Sequence, residues 1–436
     1  MFKDHPKGLP ILFFTEMWER VSFYGMRALL VLFLTAETVA ENPGFGWTNA
    51  EALGLYGWYT MMVYLMGIPG GIVADKFLGQ KKSVLIGGLL IAAGQLTLIL
   101  DNVNTFYAGL GLIICGVGLL KPNISTMVGQ LYKPGDNRRD TGFMIFYIGI
   151  NVGATIAPIV AGILGEGINF KYGFAFAGFG MLFGQAIYLW GHKYLKGIGE
   201  FVKKAKEETK TAAQPLTKIE KDRIVVIVLA CILIIFFWAA YEQAGGLLNL
   251  YTSDKINRSV FGWEIPASVF QFVPAAFVVI MGMFVSNYWN KRRKAGKETS
   301  SLFKMAIGMM ITGSGFIMMV GASLEAVDGQ KAMLIWLISS YFLQVIGELS
   351  LSPVSLSFVT KLAPARYGSI MMGVLFASTG VGNKLAGLIG QFAQTAGELE
   401  IFIGIFVYSL VLGLLVILFL KKLKALTHGA EEVTEA

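Results

Sequence analysis

Histidine is nearly absent from this 436-residue chain: there are three, His5, His192 and His428, each near the end of an apolar segment. Their spacing matches no zinc site, and no P-loop or nucleotide fingerprint is present. Cysteine is scarcer still. Cys115 and Cys231 both lie inside apolar runs, which argues against a disulfide framework. Charge is also short: Asp, Glu, Lys and Arg make up 15% of the chain, against about 25% in a soluble globular protein. With no histidine at depth and no nucleophile–base pair, an enzyme is not expected, and neither is a cofactor.

What fills the chain is hydrophobic sequence, 55% of all residues. Apolar runs of about 20 residues recur from end to end, each long enough to cross roughly 30 Å of hydrocarbon at ~1.5 Å per residue. The short alternating segments of a membrane barrel do not occur. The reading is an all-α polytopic membrane protein with about 12 transmembrane helices, at 9–34, 49–75, 83–100, 105–127, 140–165, 172–195, 223–250, 265–289, 301–324, 331–358, 367–394 and 400–422. The first run is too long and too charged for a cleaved signal peptide.

The net charge of +8 is a topology signal and not a mark of nucleic-acid binding. Lys76, Lys81 and Lys82 fall in the second loop, Lys133, Arg138 and Arg139 in the fourth, and Lys291, Arg292, Arg293, Lys294 and Lys297 in the eighth. The sixth holds Lys203, Lys204, Lys206, Lys210 and Lys218. The loops between are poor in both residues. Even-numbered loops and both termini are therefore expected in the cytoplasm. The longest polar stretch, 196–222, divides the spans six and six. The expected organisation is an N-terminal six-helix bundle over 1–195, a charged cytoplasmic linker over 196–222, a C-terminal six-helix bundle over 223–424, and a polar tail over 425–436. Two such halves suit a transporter with its site at mid-membrane depth.

The first span breaks the apolar rule. "TEMWERVSFYGMR", residues 15–27, carries Glu16, Glu19, Arg20 and Arg27. Each charge near the bilayer centre costs about 2.5–3.5 kcal/mol, so four unpaired ones would cost on the order of 10 kcal/mol. On a helix, residues 16, 20, 23 and 27 share one face, with Glu19 and Tyr24 flanking it within roughly 140°. Other charges at depth are Lys121, Glu242, Glu348 and Lys384. Static ion pairs would gain little net energy, because desolvation offsets attraction; pairs that break and re-form along a wet path are the alternative with a function. Snorkelling towards the surface is the plain reading for Lys121, and no motif supports Lys384. Pro69, Pro158, Pro274 and Pro353 fall inside spans, where each permits a bend. The 53 glycines allow close helix contacts.

These residues carry a resemblance. "EMWERVSFYG" (16–25) resembles the ExxERFxYYG signature of the proton-dependent oligopeptide transporters, a branch of the major facilitator superfamily. "FMIFYIGINVGA" (143–154) is similar to that family's FYxxINxG pattern, and "GELSLSPVSLSFVTKLAP" (347–364) to its tenth-helix segment. "GIVADKFLGQKK" (71–82) resembles the superfamily loop. The resemblance implies a major facilitator fold and a proton-coupled symporter that imports di- and tripeptides by alternating access, monomeric and multi-pass in a bacterial inner membrane. It implies proton-coupling roles for Glu16, Glu19, Arg20, Lys121 and Glu242. It implies substrate contacts for Tyr24, Arg27, Tyr64, Lys121, Asn151, Trp238, Glu242 and Glu348, with Arg27 near the peptide carboxyl end and Glu348 at its amino end. Arg27 and Glu242 would form an external gate.

Departures from the pattern accompany the match. Val21 and Phe23 stand where Phe and Tyr are usual, Val273 where Asn precedes the eighth-helix proline, and Leu375 where Trp is expected. Gln80 and Lys81 replace an arginine in the loop motif, and the two extra helices of many bacterial members are missing. A drug exporter or organic anion carrier of the same superfamily is the rival, as is a peptide sensor that binds without transporting.

Overall fold

The computed structural model describes residues 2–100, 102–133, 136, 138–201, 216–364 and 367–430. The expected linker is therefore described only up to 201 and from 216, and the expected tail only to 430. Lys203, Lys204, Lys206 and Lys210 lie outside the described residues.

Long helices account for nearly all of it: α1 Gly8–Thr35, α2 Asn49–Leu65, α3 Gly67–Val73, α4 Gln80–Thr97, α5 Val103–Gln130, α6 Arg138–Gly165, α7 Phe170–Trp190, α8 Lys218–Tyr241, α9 Leu247–Lys255, α10 Phe272–Lys294, α11 Ser301–Glu325, α12 Leu334–Leu362, α13 Gly368–Ala396 and α14 Glu398–Leu426. Two expected spans are interrupted. The second breaks at Met66 between α2 and α3, because Pro69 has no amide hydrogen to give back to the preceding turn and fits only in the first turn of a new helix. The seventh ends its α-helix at Tyr241, passes through a tight turn over Glu242–Gly245, and restarts at Leu247.

Ten helical segments among the described residues are long and apolar enough to cross a membrane. Of the two other expected spans, α1 fails because its charges cluster at mid-length, and α4 because it is short and opens on Gln80, Lys81 and Lys82. Thr48 with Glu51 and Thr217 with Glu220 form capping boxes at the starts of α2 and α8, each satisfying two otherwise orphaned amides.

The chain divides into two compact units: Met1–Ala205 with Leu247–Ser253 and Arg258–Ala276, and Lys206–Gly246 with Asp254–Asn257 and Phe277–Ala436. In the first, α4 and α5 meet backbone to backbone. A Cβ on Gly87 would lie 2.6 Å from the Gly116 carbonyl oxygen, and one on Gly94 2.6 Å from that of Gly109. The pairs repeat every seven residues, the period of a close helix seam. A tighter crossing joins α3 to α5: a Cβ on Gly70 would sit 2.0 Å from the Gly118 carbonyl oxygen. Pro122, inside α5, cannot donate to that same carbonyl. Phe33 anchors one end of the core, edge-on to Phe174 at 5.2 Å and beside Phe106 at 5.4 Å.

The loop motif belongs to this unit as well. Gln80 Nε2 donates to Asp75 Oδ1 at 3.1 Å, while buried Lys81 turns inward and donates through Nζ to the Leu195 carbonyl at 3.1 Å. Gly199 N–H donates to Gln130 Oε1 at 2.8 Å. Gly79 takes a positive φ of 76°, and a Cβ there would meet the Phe201 backbone nitrogen at 2.6 Å. Lys81 therefore pins the 195–201 segment beneath α4 and α5.

At the far end of α6, one carboxylate organises a turn. Glu166 accepts from Ala267 N at 2.7 Å, Ser268 N at 2.8 Å and Ser268 Oγ at 2.7 Å, with Arg258 Nη1 at 3.6 Å. It caps the tight helical turn Ala267–Gln271 that leads into α10, as an N-cap residue would from within the chain. Hydrogen bonds to a charged group contribute about 1.5–3 kcal/mol. Glu166→Ala is expected to lower stability by about that amount, read as a fall in the detergent thermal-unfolding midpoint, with Glu166→Asp retaining part of it. An unchanged midpoint would show the cap to be dispensable.

In the second unit, Gly308 and Gly347 bring α11 and α12 together: a Cβ on either would lie within 2.4–2.7 Å of the other's carbonyl oxygen. Met305, Met309, Leu351 and Phe358 pack around this seam. The end of α14 is tied down by Lys424 on Glu298 at 2.9 Å and His428 on Asp222 at 2.7 Å.

Candidate functional site

Helix α1 presents its charges inward. Glu16, Glu19 and Arg20 are buried, at 2%, 0% and 3% exposure, which is the burial of core leucine. Arg20 serves both carboxylates: Nε lies 3.2 Å from Glu16 Oε1, and Nη2 pairs with Glu19. Its guanidinium also stands over the Phe23 ring at 5.5 Å, so the position where a tyrosine hydroxyl was expected supplies an aromatic face instead. Lys121 of α5 lies within electrostatic reach of Glu16. Glu16, Glu19 and Arg20 thus share one buried cluster, with half-buried Lys121 within electrostatic reach of it.

Lys121 and Arg27 each stand against an aromatic ring. Lys121 Nζ sits 4.7 Å above the Tyr64 ring. Arg27 lies 5.7 Å from the Tyr24 ring and donates through Nε to Tyr56 Oη at 2.9 Å. Those contacts hold the long side chains against aromatic faces. Asn151, 7% exposed, turns its amide back onto its own helix, donating to the Tyr147 carbonyl at 2.9 Å.

The second unit holds Glu242 and Glu348. Glu242 is buried at the interruption after α8, in the first position of the tight turn. Glu348 lies half-buried on α12 and accepts a hydrogen bond from the Tyr241 hydroxyl. Trp238 packs edge-on to Tyr241 at 5.5 Å. Gln243 donates to the Ala239 carbonyl at 2.9 Å and the Ala386 carbonyl at 3.1 Å, binding the turn to α13. Lys384 is half-buried on that helix. Leu375 here and Val273 in the first unit, two of the departures from the resemblance, are buried apolar residues.

The family model described as the POT family matches residues 81–213 and 199–402. The chain belongs to the POT family. Among curated POT-like relatives, it is 33% identical to a di-/tripeptide transporter of Lactococcus lactis subsp. cremoris, over 97% of this chain and 96% of that protein. It is 34% identical to the peptide transporter YePEPT of Yersinia enterocolitica, over 89% and 88%. It is 36% identical to an uncharacterized transporter, YclF, of Bacillus subtilis, over 90% of each. The crystal structure of a POT peptide transporter in complex with sulfate superposes with a TM-score of 0.91 at 33% identity, covering 98% of this chain and 96% of that one. A POT family transporter in complex with 5-aminolevulinic acid gives 0.89 at 29% identity, covering 97% and 98%. The major facilitator architecture expected from sequence is thereby established.

Within this POT chain the unit-one residues Glu16, Glu19 and Arg20 form one cluster, with Lys121 within electrostatic reach of Glu16 and over the Tyr64 ring. In unit two, Trp238 and Glu348 both contact Tyr241. Tyr56 and Tyr241 are additions to the residues singled out by sequence. The signal for Tyr241 is its place directly before Glu242 in "WAAYEQ"; the signal for Tyr56 is weaker, one tyrosine among several in the second span. Pro122, next to Lys121, is a third addition.

Proposed function

We propose that this chain is a proton-coupled symporter that imports di- and tripeptides by alternating access. The observation that carries the reading is the buried Glu16–Arg20–Glu19 cluster with Lys121 in reach. A group of acids and bases so far from water is a proton store whose partnerships rearrange when one member is neutralised. Glu16, Glu19, Arg20, Lys121 and Glu242 are assigned to proton coupling. The curated relatives named as di-/tripeptide transporters support the cargo, and the transport role of those relatives supports a carrier over an enzyme.

A peptide of any sequence offers one carboxylate and one ammonium. Arg27 and Lys121, held by tyrosines, are assigned to the carboxylate, and Glu348 to the ammonium, by charge-assisted hydrogen bonds. Tyr24, Tyr64, Asn151, Trp238 and Glu242 complete the substrate contacts. Side chains are then free to vary against aromatic walls. Both termini are assigned to the cytoplasm from the Lys and Arg bias of alternate loops, and a monomer in a bacterial inner membrane is what the family resemblance implies.

The deciding experiment is uptake of labelled dipeptide into proteoliposomes under an imposed pH gradient. Concentrative uptake supports the reading; dye efflux with no peptide uptake favours a drug exporter, and binding without uptake favours a sensor. Glu348→Ala is expected to weaken binding of free-amino dipeptides at least about tenfold, the scale of one lost charge-assisted bond, and to spare amino-blocked ones. Equal weakening of both would remove Glu348 from the amino end.

A further inference from the structure

Tyr241 occupies the last turn of α8, immediately before the interruption at Glu242. Its ring packs against two others: stacked on Phe237 at 5.7 Å and 20°, and edge-on to Trp238 at 5.5 Å and 82°. Those two rings lie one turn back on the same helix, and the Tyr241 hydroxyl extends past them to meet Glu348 Oε2 of α12. A phenol can donate one hydrogen bond, and an ionised carboxylate has two oxygens that accept. Capturing Oε2 fixes the rotamer of Glu348 and leaves Oε1 as the oxygen presented to an incoming donor.

We propose that Tyr241 is a positioning residue for substrate selection: its phenol holds Glu348 so that one carboxylate oxygen faces the ammonium of the peptide. The proposal rests on the assignment of Glu348 to the amino end. An unheld glutamate must give up rotamer freedom each time it binds, whereas one already oriented loses little. The benefit appears in affinity and not in turnover, because the hydrogen bond is present before substrate arrives. It is also confined to ligands with a free amine.

The test is a double-mutant cycle in proteoliposomes. Tyr241→Phe keeps the ring stack and removes only the hydroxyl. It is expected to raise KM for a free-amino dipeptide roughly tenfold, the loss of about one charge-assisted hydrogen bond, with Vmax held. In a Glu348→Gln background the same Tyr241→Phe change is expected to have no further effect on KM. A drop in Vmax with KM unaltered, or an effect of Tyr241→Phe that persists in full in the Glu348→Gln background, would overturn the positioning role while leaving the Glu348 assignment standing. If Glu348→Gln alone leaves KM for the free-amino dipeptide unchanged, the amino-end assignment falls and the proposal with it. Equal detergent melting points for wild type and Tyr241→Phe separate either result from misfolding.

Discussion

Glu19→Gln is expected to abolish concentrative uptake of dipeptide while leaving counterflow exchange intact. Glu19 is wholly buried, and it shares Arg20 with Glu16, whose Oε1 is 3.2 Å from the guanidinium. With Lys121 in reach of Glu16, the neighbourhood holds two carboxylates and two cations. Glutamine has nearly the same shape and keeps the packing, but it removes one negative charge permanently. The cluster is then fixed in the balance that a protonated glutamate would give, and no proton can enter or leave at that position. Exchange of peptide for peptide needs no net proton movement and survives. In the intact protein, one charge moved through 100 mV is worth about 2.3 kcal/mol, or roughly fifty-fold accumulation. The variant should approach an inside-to-outside ratio of about one. The measurement is the steady-state ratio of labelled peptide in proteoliposomes, with counterflow run in parallel. If Glu19→Gln retained the full ratio, the cluster would be a static brace between helices and the proton path would lie elsewhere.

The second large effect concerns assembly. Gly70→Leu is expected to prevent recovery of folded protein, or to lower its melting point well beyond the fall expected of Glu166→Ala. A Cβ at position 70 would lie 2.0 Å from the Gly118 carbonyl oxygen, 2.4 Å from its carbonyl carbon and 2.9 Å from Leu119 N. All three are backbone atoms of α5, so no side chain can turn aside. The helices have to part, which costs more than the roughly 1–3 kcal/mol typical of an overpacked core. Gly71 provides the control: it is the next residue of α3, and nothing lies within 4 Å of a Cβ built there. Gly71→Ala should be neutral or slightly stabilising, since alanine is the better helix former by roughly 0.5–1 kcal/mol. Size-exclusion profiles and melting curves of the pair in detergent check the contrast. Similar behaviour of the two variants would mean that the crossing yields easily.

How much of this is legible in the sequence depends on where the information resides. Apolar runs of membrane length are local, and spans such as 301–324 and 140–165 fall within a few residues of α11 and α6. The charges of α1 are legible because lipid makes them costly, and their spacing places them on one face. What stays hidden is pairwise. Nothing in the spacing of tyrosines says that Tyr56 reaches Arg27 or that Tyr241 reaches Glu348, since each contact joins two different helices. Lys81 is legible as a retained positive charge, but its carbonyl partner, Leu195, is 114 positions away. Pro69 is expected to bend its span; the α-helix is interrupted at the single residue Met66, three positions before that proline. The interruption after Tyr241 is hidden because an apolar run of normal length covers it, and only "QAGG" marks the turn.

That interruption has an electrostatic consequence. An α-helix carries a macrodipole equivalent to about half an elementary negative charge at its C-terminal end. Because α8 stops at Tyr241 and does not continue to the membrane surface, that end lies within the span, beside Glu242. The interruption therefore sets two opposed helix ends inside one span: the partial negative charge of the last α8 carbonyls beside Glu242, and the partial positive charge of the amides where α9 restarts at Leu247.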